Sequence, residues 1–298
     1  MHAQSTNNIL WTLFQPVFVF GLTLIAGSAA VFKWADFGTL VTALIFFPIP
    51  FYLILERFLP KRKDWLLNWS DLAEDVFWVS ATYLIWLPIY DTHYDTPISE
   101  FFSSLREYSG FQFSLDAESM LGLLGVVMIA TFTKELIGYW LHRAQHKFMF
   151  FWRIHATHHH ITKMSVARTD RTHALEFLGL NLGSAIVLAF FGASEEVVGV
   201  FLVFTMSIAY SCHSNVPMKS GLFGFFFNTP EWHQLHHSCN YDESNTNYGC
   251  TVILWDRIFG TFSDKTSIEK IGNGTGKQLS LLTQLTIPFR SNKVLRKL

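Results

Sequence analysis

Long apolar runs constrain this chain more than any other feature of its 298-residue sequence. A helix needs about 20 apolar residues to cross about 30 Å of hydrocarbon. Six runs approach or exceed that length: 9–32, 38–55, 76–90, 120–141, 175–191 and 197–212. The third, fifth and sixth runs are short, so one pair of them can be re-entrant or tilted. The runs predict an all-α integral membrane protein with about four to six transmembrane helices.

The break between the last two apolar runs has the composition of a helix boundary. Gly192 and Ala193 precede Ser194, and two glutamates follow it. Serine is a favoured N-cap, and acidic side chains in the first turn interact well with the helix dipole. We therefore expect one helix to end near Gly192 and the next to begin after Ser194.

The overall composition agrees with a membrane location. Half of the residues are hydrophobic, 16% are aromatic and only 15% are charged, which is too apolar for an ordinary soluble domain. A net charge of −1 gives no indication of a nucleic-acid partner. Cys212, Cys239 and Cys250 form no CxxC pair and are expected to be free thiols in a reducing compartment. The first residues lack the basic region of a signal peptide, which predicts that the first run is a retained span.

The distribution of charge between the runs predicts their orientation. Arg57 and the segment 61–63 form a basic loop after the second run, and basic loops remain cytoplasmic. Residues 91–118, after the third run, contain six acidic residues and one arginine, as expected for the opposite side. Counting the runs outward from the basic loop places every histidine cluster at the cytoplasmic face.

Nine histidines occur in four groups beside these runs. HRAQH at 142–146 and two H-x-x-H-H motifs, at 155–159 and 233–237, repeat histidine at the spacing of one helical face, and His213 stands alone at the end of the sixth run. Because no single metal ion could use nine nitrogens, the count predicts a dinuclear centre. The predicted ligands are His142, His146, His155, His158, His159, His213, His233, His236 and His237.

The identity of the metal is less constrained than its presence. Imidazole suits iron, zinc, copper and nickel. Zinc hydrolysis normally requires a carboxylate general base, whereas the nearby carboxylates are better placed to orient histidine N–H groups. The candidates for that orienting role are Asp170, Glu176, Glu231, Asp242 and Glu243. Iron could bind O₂ and oxidise a C–H bond. A membrane di-zinc hydrolase and a metal-handling membrane protein remain the alternatives.

The same motifs resemble a known family. HRAQH, HATHHH and ARTDRTHALE, followed by CHSN, TPEWHQLHHS, NTNYGC and WDRIFGTF, resemble the fatty acid hydroxylase superfamily, in particular its sterol desaturase branch. The resemblance covers about residues 120–262. It implies a cytosolic histidine-rich helical lobe, a centre of two iron ions (Fe²⁺/Fe³⁺), and O₂-dependent hydroxylation or desaturation of a lipid. Zinc is the alternative metal in the isolated protein.

The resemblance also implies roles for individual residues. The nine histidines carry over as metal ligands and catalytic residues, and His173 matches a further family histidine that either binds metal or orients a ligand. Ala209 stands where some relatives have another histidine, which suggests that Asn215 holds a metal-bound water. Electrons are expected from an external donor, a ferredoxin or a cytochrome b5-type reductase system.

The resemblance and the apolar runs together predict three segments. Residues 1–118 are expected to form N-terminal transmembrane helices and loops, 119–265 the catalytic domain, and 266–298 a C-terminal cytosolic tail. The C-terminal Arg296-Lys297-Leu298 is not an ER-retrieval signal, which favours a bacterial inner membrane over the ER.

Overall fold

The computed structural model describes residues 2–180 and 182–295, and within these ranges it contains helices and turns but no β-strand. The α-helices are α1 (His2–Phe32), α2 (Phe37–Phe46), α3 (Pro48–Phe58), α4 (Trp69–Ala81), α5 (Leu87–Tyr90), α6 (Thr96–Ser109), α7 (Met120–Lys147), α8 (Met149–His159), α9 (Phe177–Leu180), α10 (Leu182–Phe190), α11 (Glu195–His213), α12 (Phe223–Phe226), α13 (Pro230–His236), α14 (Tyr241–Ser244), α15 (Leu254–Ile258), α16 (Leu281–Thr286) and α17 (Asn292–Leu295). The prediction of an all-α protein is confirmed.

Among the described residues, five helical segments are long and apolar enough to cross a membrane. Their bounds are Asn8–Phe32, Phe37–Phe58, Trp69–Ser109, Met120–Lys147 and Glu195–His213. The segment Ala174–Phe190, which contains the fifth apolar run, is shorter. Large apolar side chains such as Leu84 (75% exposed) and Leu121 (82% exposed) point outward, as expected for a surface that faces lipid. The predicted number of four to six spans is confirmed.

The third span is much longer than its apolar run, because the helix continues through the acidic stretch to Ser109. Two π-helical turns, Thr82–Trp86 and Asp91–Asp95, interrupt it. Pro88 and Pro97 lie at the starts of the α-helical segments that follow these turns. Proline has no N–H for the helical hydrogen-bond ladder, and such wide turns accommodate the resulting break. The helix therefore extends well past residue 90, where the third apolar run ends.

Helix α11 is the central helix of the bundle. Its apolar window is 72% buried, against 22–28% for the other four spans, because it packs against α1, α2 and α7. It begins as predicted, since the Ser194 side chain accepts a hydrogen bond from the Val197 N–H and two glutamates occupy the first turn. The apolar core around it includes Val200, Phe204 and Ile208.

Glu56, near the end of α3, joins the membrane helices to the histidine-bearing part of the chain. Its carboxylate accepts hydrogen bonds from the Ser165 hydroxyl (2.7 Å), the Val166 N–H (2.8 Å) and the Asn215 N–H (3.1 Å). The segment after α8 and the end of α11 are thus fixed to the same helix end. This arrangement brings His158 and His213 to one end of the bundle.

A buried ionic network makes a second connection. Arg171 pairs with Glu74 at 3.0 Å and with Asp75, and Arg168 pairs with Asp71 at 2.7 Å and with Asp75 at 3.3 Å. Both arginine side chains are fully buried. Helix α4 therefore holds the segment between α8 and α9 through paired charges.

The predicted segment boundaries lie outside the long helices. Residues 118 and 119 lie between α6 and α7, and residues 265 and 266 lie between α15 and α16. The C-terminal segment packs onto α8, where Ala156, Ile287 and Leu295 form a small apolar cluster.

Candidate metal centre

Four separate helices bring nine histidines together. His142 and His146 lie in the last turns of α7, His213 is the last residue of α11, and the two H-x-x-H-H motifs lie at the ends of α8 and α13. Two groups of potential ligand atoms result, each with its atoms within 4.8 Å of one another. Group 1 comprises His142, His146, His155, His159 and His236, and group 2 comprises His158, His213, His233 and His237.

Each H-x-x-H-H motif is divided between the two groups. His155 and His159 join group 1 while His158 joins group 2, and conversely His233 and His237 join group 2 while His236 joins group 1. The expectation that all three histidines of a motif share one face was therefore too simple. At about 100° per residue, positions i and i+4 lie close in angle, whereas i+3 and i+4 lie on opposite sides of position i.

The ring nitrogens have spacings suited to metal ions. In group 1 the Nε2 atoms of His142 and His155 lie 2.9 Å apart, and those of His142 and His236 lie 3.0 Å apart. In group 2 the Nε2 atom of His213 lies 3.0 Å from Nε2 of His233 and 3.2 Å from Nε2 of His158. Metal–imidazole bonds of about 2.1 Å at right angles separate two nitrogens by about 3.0 Å. The residues present therefore fit two adjacent metal ions.

The two groups adjoin each other. The rings of His159 in group 1 and His237 in group 2 are stacked with their centroids 4.6 Å apart. His155 and His158, one turn apart on α8, have ring centroids 5.4 Å apart. This contact agrees with a dinuclear arrangement.

Hydrogen bonds at the opposite ring nitrogen orient several of the imidazoles. The Nδ1–H of His142 donates to the Tyr248 carbonyl (2.6 Å), and that of His236 donates to the Thr246 carbonyl (2.8 Å). In group 2, the Nδ1–H of His213 donates to the Ala209 carbonyl (2.9 Å). A proton held on Nδ1 leaves the Nε2 lone pair free for a metal.

A carboxylate supports one further ligand. The Nδ1–H of His155 donates to Glu176 Oε1 at 2.9 Å, and the Gln145 amide donates to the same oxygen at 2.8 Å. Among the carboxylates expected to orient histidines, Glu176 alone does so within the described residues. Glu231 instead accepts from Lys219 and Ser220, and Asp170 accepts from two tyrosine hydroxyls.

Burial favours the neutral state that a metal ligand needs. Removal from water lowers the pKa of the histidines well below its usual range, and neighbouring imidazoles lower it further. This holds for His158, His159, His233, His236 and His237.

Two other predicted site residues lie elsewhere. His173 belongs to neither group, its Nδ1 accepts a hydrogen bond from the Leu175 N–H (3.2 Å), and burial lowers its pKa. Asn215 uses its side-chain amide on the backbone of Arg62, with Oδ1 accepting from the N–H (2.9 Å) and Nδ2 donating to the carbonyl (2.8 Å). Asn215 therefore fixes the loop after α3, and the suggestion that it holds a water on the metal stays a prediction.

The residues that hold the Tyr248 carbonyl were not among the predicted site residues. Asp256 accepts hydrogen bonds from the N–H groups of Tyr248 (2.8 Å) and Gly249 (2.7 Å). A Cβ atom at Gly249 would lie 2.3 Å from the Val252 carbonyl oxygen, so only glycine fits there. Both residues lie in the family motifs NYGC and WDRIFGTF. A motif does not show, however, which backbone carbonyl accepts a hydrogen bond from a histidine.

An apolar pocket of about 240 Å³, here called the α7–α8 pocket, is lined by residues of α7 and α8, the helices that carry four of the group 1 histidines. Its lining includes Leu141, Ala144, Gln145, Phe151, Ile154 and Leu178. Gln145 connects it to the centre through Glu176 and His155. A larger cleft of about 700 Å³ lies between the third span and α10. Neither lining includes a predicted ligand, but only the α7–α8 pocket is lined by residues of the two helices that together carry four group 1 histidines.

The fold and the site define a multi-pass membrane protein with a histidine-rich centre suited to two metal ions. Residues 127–261 match the family model described as "Fatty acid hydroxylase". The predicted resemblance to the superfamily is confirmed.

Three relatives illustrate the match. An ornithine lipid hydroxylase of Rhizobium tropici is 36% identical over 166 residues, which cover 55% of this chain and 50% of that protein. An alkylglycerol monooxygenase of Caenorhabditis elegans is 32% identical over 134 residues, covering 44% and 26%. A fatty acid hydroxylase of a Lecanicillium species is 26% identical over 171 residues, covering 52% and 46%. The chain thus spans half or less of these relatives' lengths. No solved structure gives a significant match.

Proposed function

We propose that this chain is an O₂-dependent di-iron oxidoreductase that hydroxylates or desaturates a C–H bond of a membrane lipid. The observation that carries the proposal is the convergence of nine Nε2-bearing imidazoles into two adjoining groups, next to an apolar pocket. The family match and the lipid hydroxylases among its relatives support the same chemistry.

The donor set favours redox chemistry over hydrolysis. Within the part of the chain that the structure describes, both groups consist of histidine alone. A hydrolytic zinc site normally has a carboxylate general base beside the ligands. When bound, a pair of iron ions supplies electrons to O₂ and the oxidising power to attack an unactivated C–H bond.

The protein's own residues hold the metal ligands in position and exclude water from the substrate. We assign metal binding to the nine histidines of groups 1 and 2, with His173 left as a structural residue at the start of its turn. Glu176 and the backbone carbonyls of Tyr248 and Thr246 fix the ring orientations of three of these ligands. The α7–α8 pocket receives the apolar chain of the lipid and excludes water from the reacting carbon.

The overall reaction requires electrons from elsewhere. Hydroxylation combines R–H, O₂, two electrons and two protons to give R–OH and water, and desaturation removes two hydrogens and gives two waters. The sequence contains no CxxC or GxGxxG motif for a redox cofactor. We propose an external donor, a ferredoxin or a cytochrome b5-type reductase system.

We also propose that the centre faces the cytoplasm and that the protein resides in a bacterial inner membrane. The basic loop around Lys61 and the ornithine lipid hydroxylase of a bacterium support this assignment. Reporter fusions at the loops 59–68 and 110–119 test the orientation. An active cytoplasmic reporter at the second loop and an active periplasmic reporter at the first would refute it.

Metal content and Mössbauer spectra of the detergent-purified protein test the central proposal. About two irons per chain are expected in the wild type and fewer in His158→Ala. The matched variant His173→Ala, a histidine outside both groups, should retain both irons. Stoichiometric zinc that survives anaerobic iron loading would contradict the proposal. Lipid analysis of expressing cells, with and without O₂, should then reveal oxygenated or unsaturated products in the wild type alone.

A further inference from the structure

Gln145, in the wall of the α7–α8 pocket, has a hydrogen-bond acceptor that none of the described residues uses. Gln145 lines the pocket, is 5% exposed, and donates through Nε2 to Glu176 Oε1 at 2.8 Å. Its Oε1 has no hydrogen-bond partner among the described residues, and neither has Oε2 of Glu176, which is 1% exposed. Each partner of this hydrogen bond therefore keeps one buried acceptor without a donor among the described residues.

The orientation of the amide is fixed by its surroundings. Turning the Gln145 side chain over would place its oxygen against the Glu176 carboxylate, which has no proton to donate when ionised. The amide oxygen is thus the atom left without a partner. Buried polar atoms in proteins are nearly always paired, so the Gln145 oxygen is expected to meet a donor that the described residues do not supply, as a ligand in the pocket would.

The pocket has a defined direction. Phe151 and Leu178 are each 43% exposed and mark its outer end, whereas Gln145 is buried at its inner end. The remaining wall is apolar, being formed by side chains such as Leu141, Ala144 and Ile154. A ligand that fits this wall has an apolar chain outside and a polar donor inside.

We propose that Gln145 Oε1 accepts a hydrogen bond from a hydroxyl or amide N–H of the substrate lipid. The substrate class is therefore a lipid with a donor group on the chain that enters the pocket, rather than a plain hydrocarbon or an ester without a donor. This inference rests on the proposed function, in which the α7–α8 pocket receives the lipid. Because Glu176 also holds His155, the bound donor lies close to group 1.

Binding of two matched probes tests the proposal without any reaction. Decanol and its methyl ether have the same apolar chain, but only the alcohol has a donor. Native mass spectrometry of the metal-loaded protein in detergent, without O₂ or reductant, counts bound probe. The wild type is expected to prefer the alcohol by about tenfold, the effect of one buried hydrogen bond. Equal binding of the two probes would overturn the proposal.

Variants locate the site. Gln145→Leu should bind the alcohol as weakly as the ether and leave ether binding unchanged; Gln145→Met serves the same purpose should the leucine variant fail to fold. Gln112→Leu, the same change at an exposed glutamine, should keep the preference. Ala144→Phe should fill the pocket and weaken both probes. A preference that persists in both Gln145 variants, or probe binding that Ala144→Phe leaves intact, would refute the assignment.

The result is separable from the metal chemistry. A protein that holds zinc, or that shows no lipid oxidation, still reveals in this measurement whether the pocket prefers a donor. Conversely, two irons per chain together with equal binding of the probes would support the proposed function and reject the inference.

Discussion

The carboxylate of Asp256 accepts a hydrogen bond of 2.8 Å from the backbone N–H of Tyr248, whose carbonyl in turn accepts one of 2.6 Å from His142 Nδ1. The first of these contacts holds a backbone segment, and the second holds a predicted metal ligand. A fully buried acidic side chain outside both histidine groups thus positions an imidazole of group 1.

Replacing Asp256 should weaken both the fold and the centre. Asp256→Ala leaves the N–H groups of Tyr248 and Gly249 without their acceptor. Since an unpaired buried donor costs about 1–3 kcal/mol, we expect a loss of about 2–4 kcal/mol in the free energy of unfolding and a lower metal affinity. Thermal unfolding and chelator competition measure the two effects. Asp116→Ala, at an exposed site, should change neither, and a wild-type metal affinity in Asp256→Ala would contradict the positioning role.

Removing the carboxylate that holds His155 should affect metal binding selectively. Glu176→Ala takes away the acceptor for His155 Nδ1, and the loss of such a partner typically lowers metal affinity by about 10–100-fold. Chelator competition on the folded protein measures this change. Glu231→Ala removes another buried carboxylate, which among the described residues accepts hydrogen bonds from Lys219 and Ser220 and from no histidine, so the metal affinity of this variant should stay near the wild-type value. Equal affinities in the two variants would show that the His155 contact does not matter.

The buried ionic network should be sensitive to the loss of one partner. Arg171→Leu leaves Asp75 short of a counter-charge and Glu74 without its 3.0 Å contact, which should destabilise the protein by about 3–5 kcal/mol. The double variant Arg171→Leu/Asp75→Leu should recover part of that loss, since Arg168 still pairs with Asp71. Thermal unfolding in detergent measures both. A double variant less stable than the single one would show that Asp75 has another essential partner.

Asp170 should make stability depend on pH. Burial raises its pKa to about 7, against the opposing effect of the Tyr210 and Tyr83 hydroxyls. The folded state therefore binds a proton more tightly than the unfolded state. The stabilising contribution of Asp170 is full below about pH 4, decreases as the pH rises to about 7, and is constant above that value.

Comparison with a neutral variant isolates this effect. Asp170→Asn should gain stability relative to the wild type between about pH 4 and pH 7, by about 4 kcal/mol at most. Unfolding temperatures of both proteins across this range provide the measurement. A difference between them that does not change with pH would show that Asp170 keeps an ordinary pKa.

Local patterns predicted many elements of the structure. Apolar runs predicted the spans because a helix in lipid must be apolar over its length, and Ser194 marked the start of α11 because an N-cap acts within one turn. The end of the third span at Ser109 could not be predicted in this way. The helix continues into its polar half through two π-helical turns, one before Pro88 and one before Pro97, and no apolar periodicity signals these turns.

The sequence by itself determined which histidines can act together on one helix, because the spacing of four residues fixes neighbouring positions on a helical face. Only the tertiary structure decided that His158 and His159, adjacent in the chain, belong to different groups. That division depends on where α11 and α13 place His213 and His236. The tertiary structure also decided that the Tyr248 carbonyl holds His142, because every residue has a carbonyl and packing alone selects one. Side-chain identity is a property of the sequence, whereas the direction in which a side chain or carbonyl points is a property of the packed molecule.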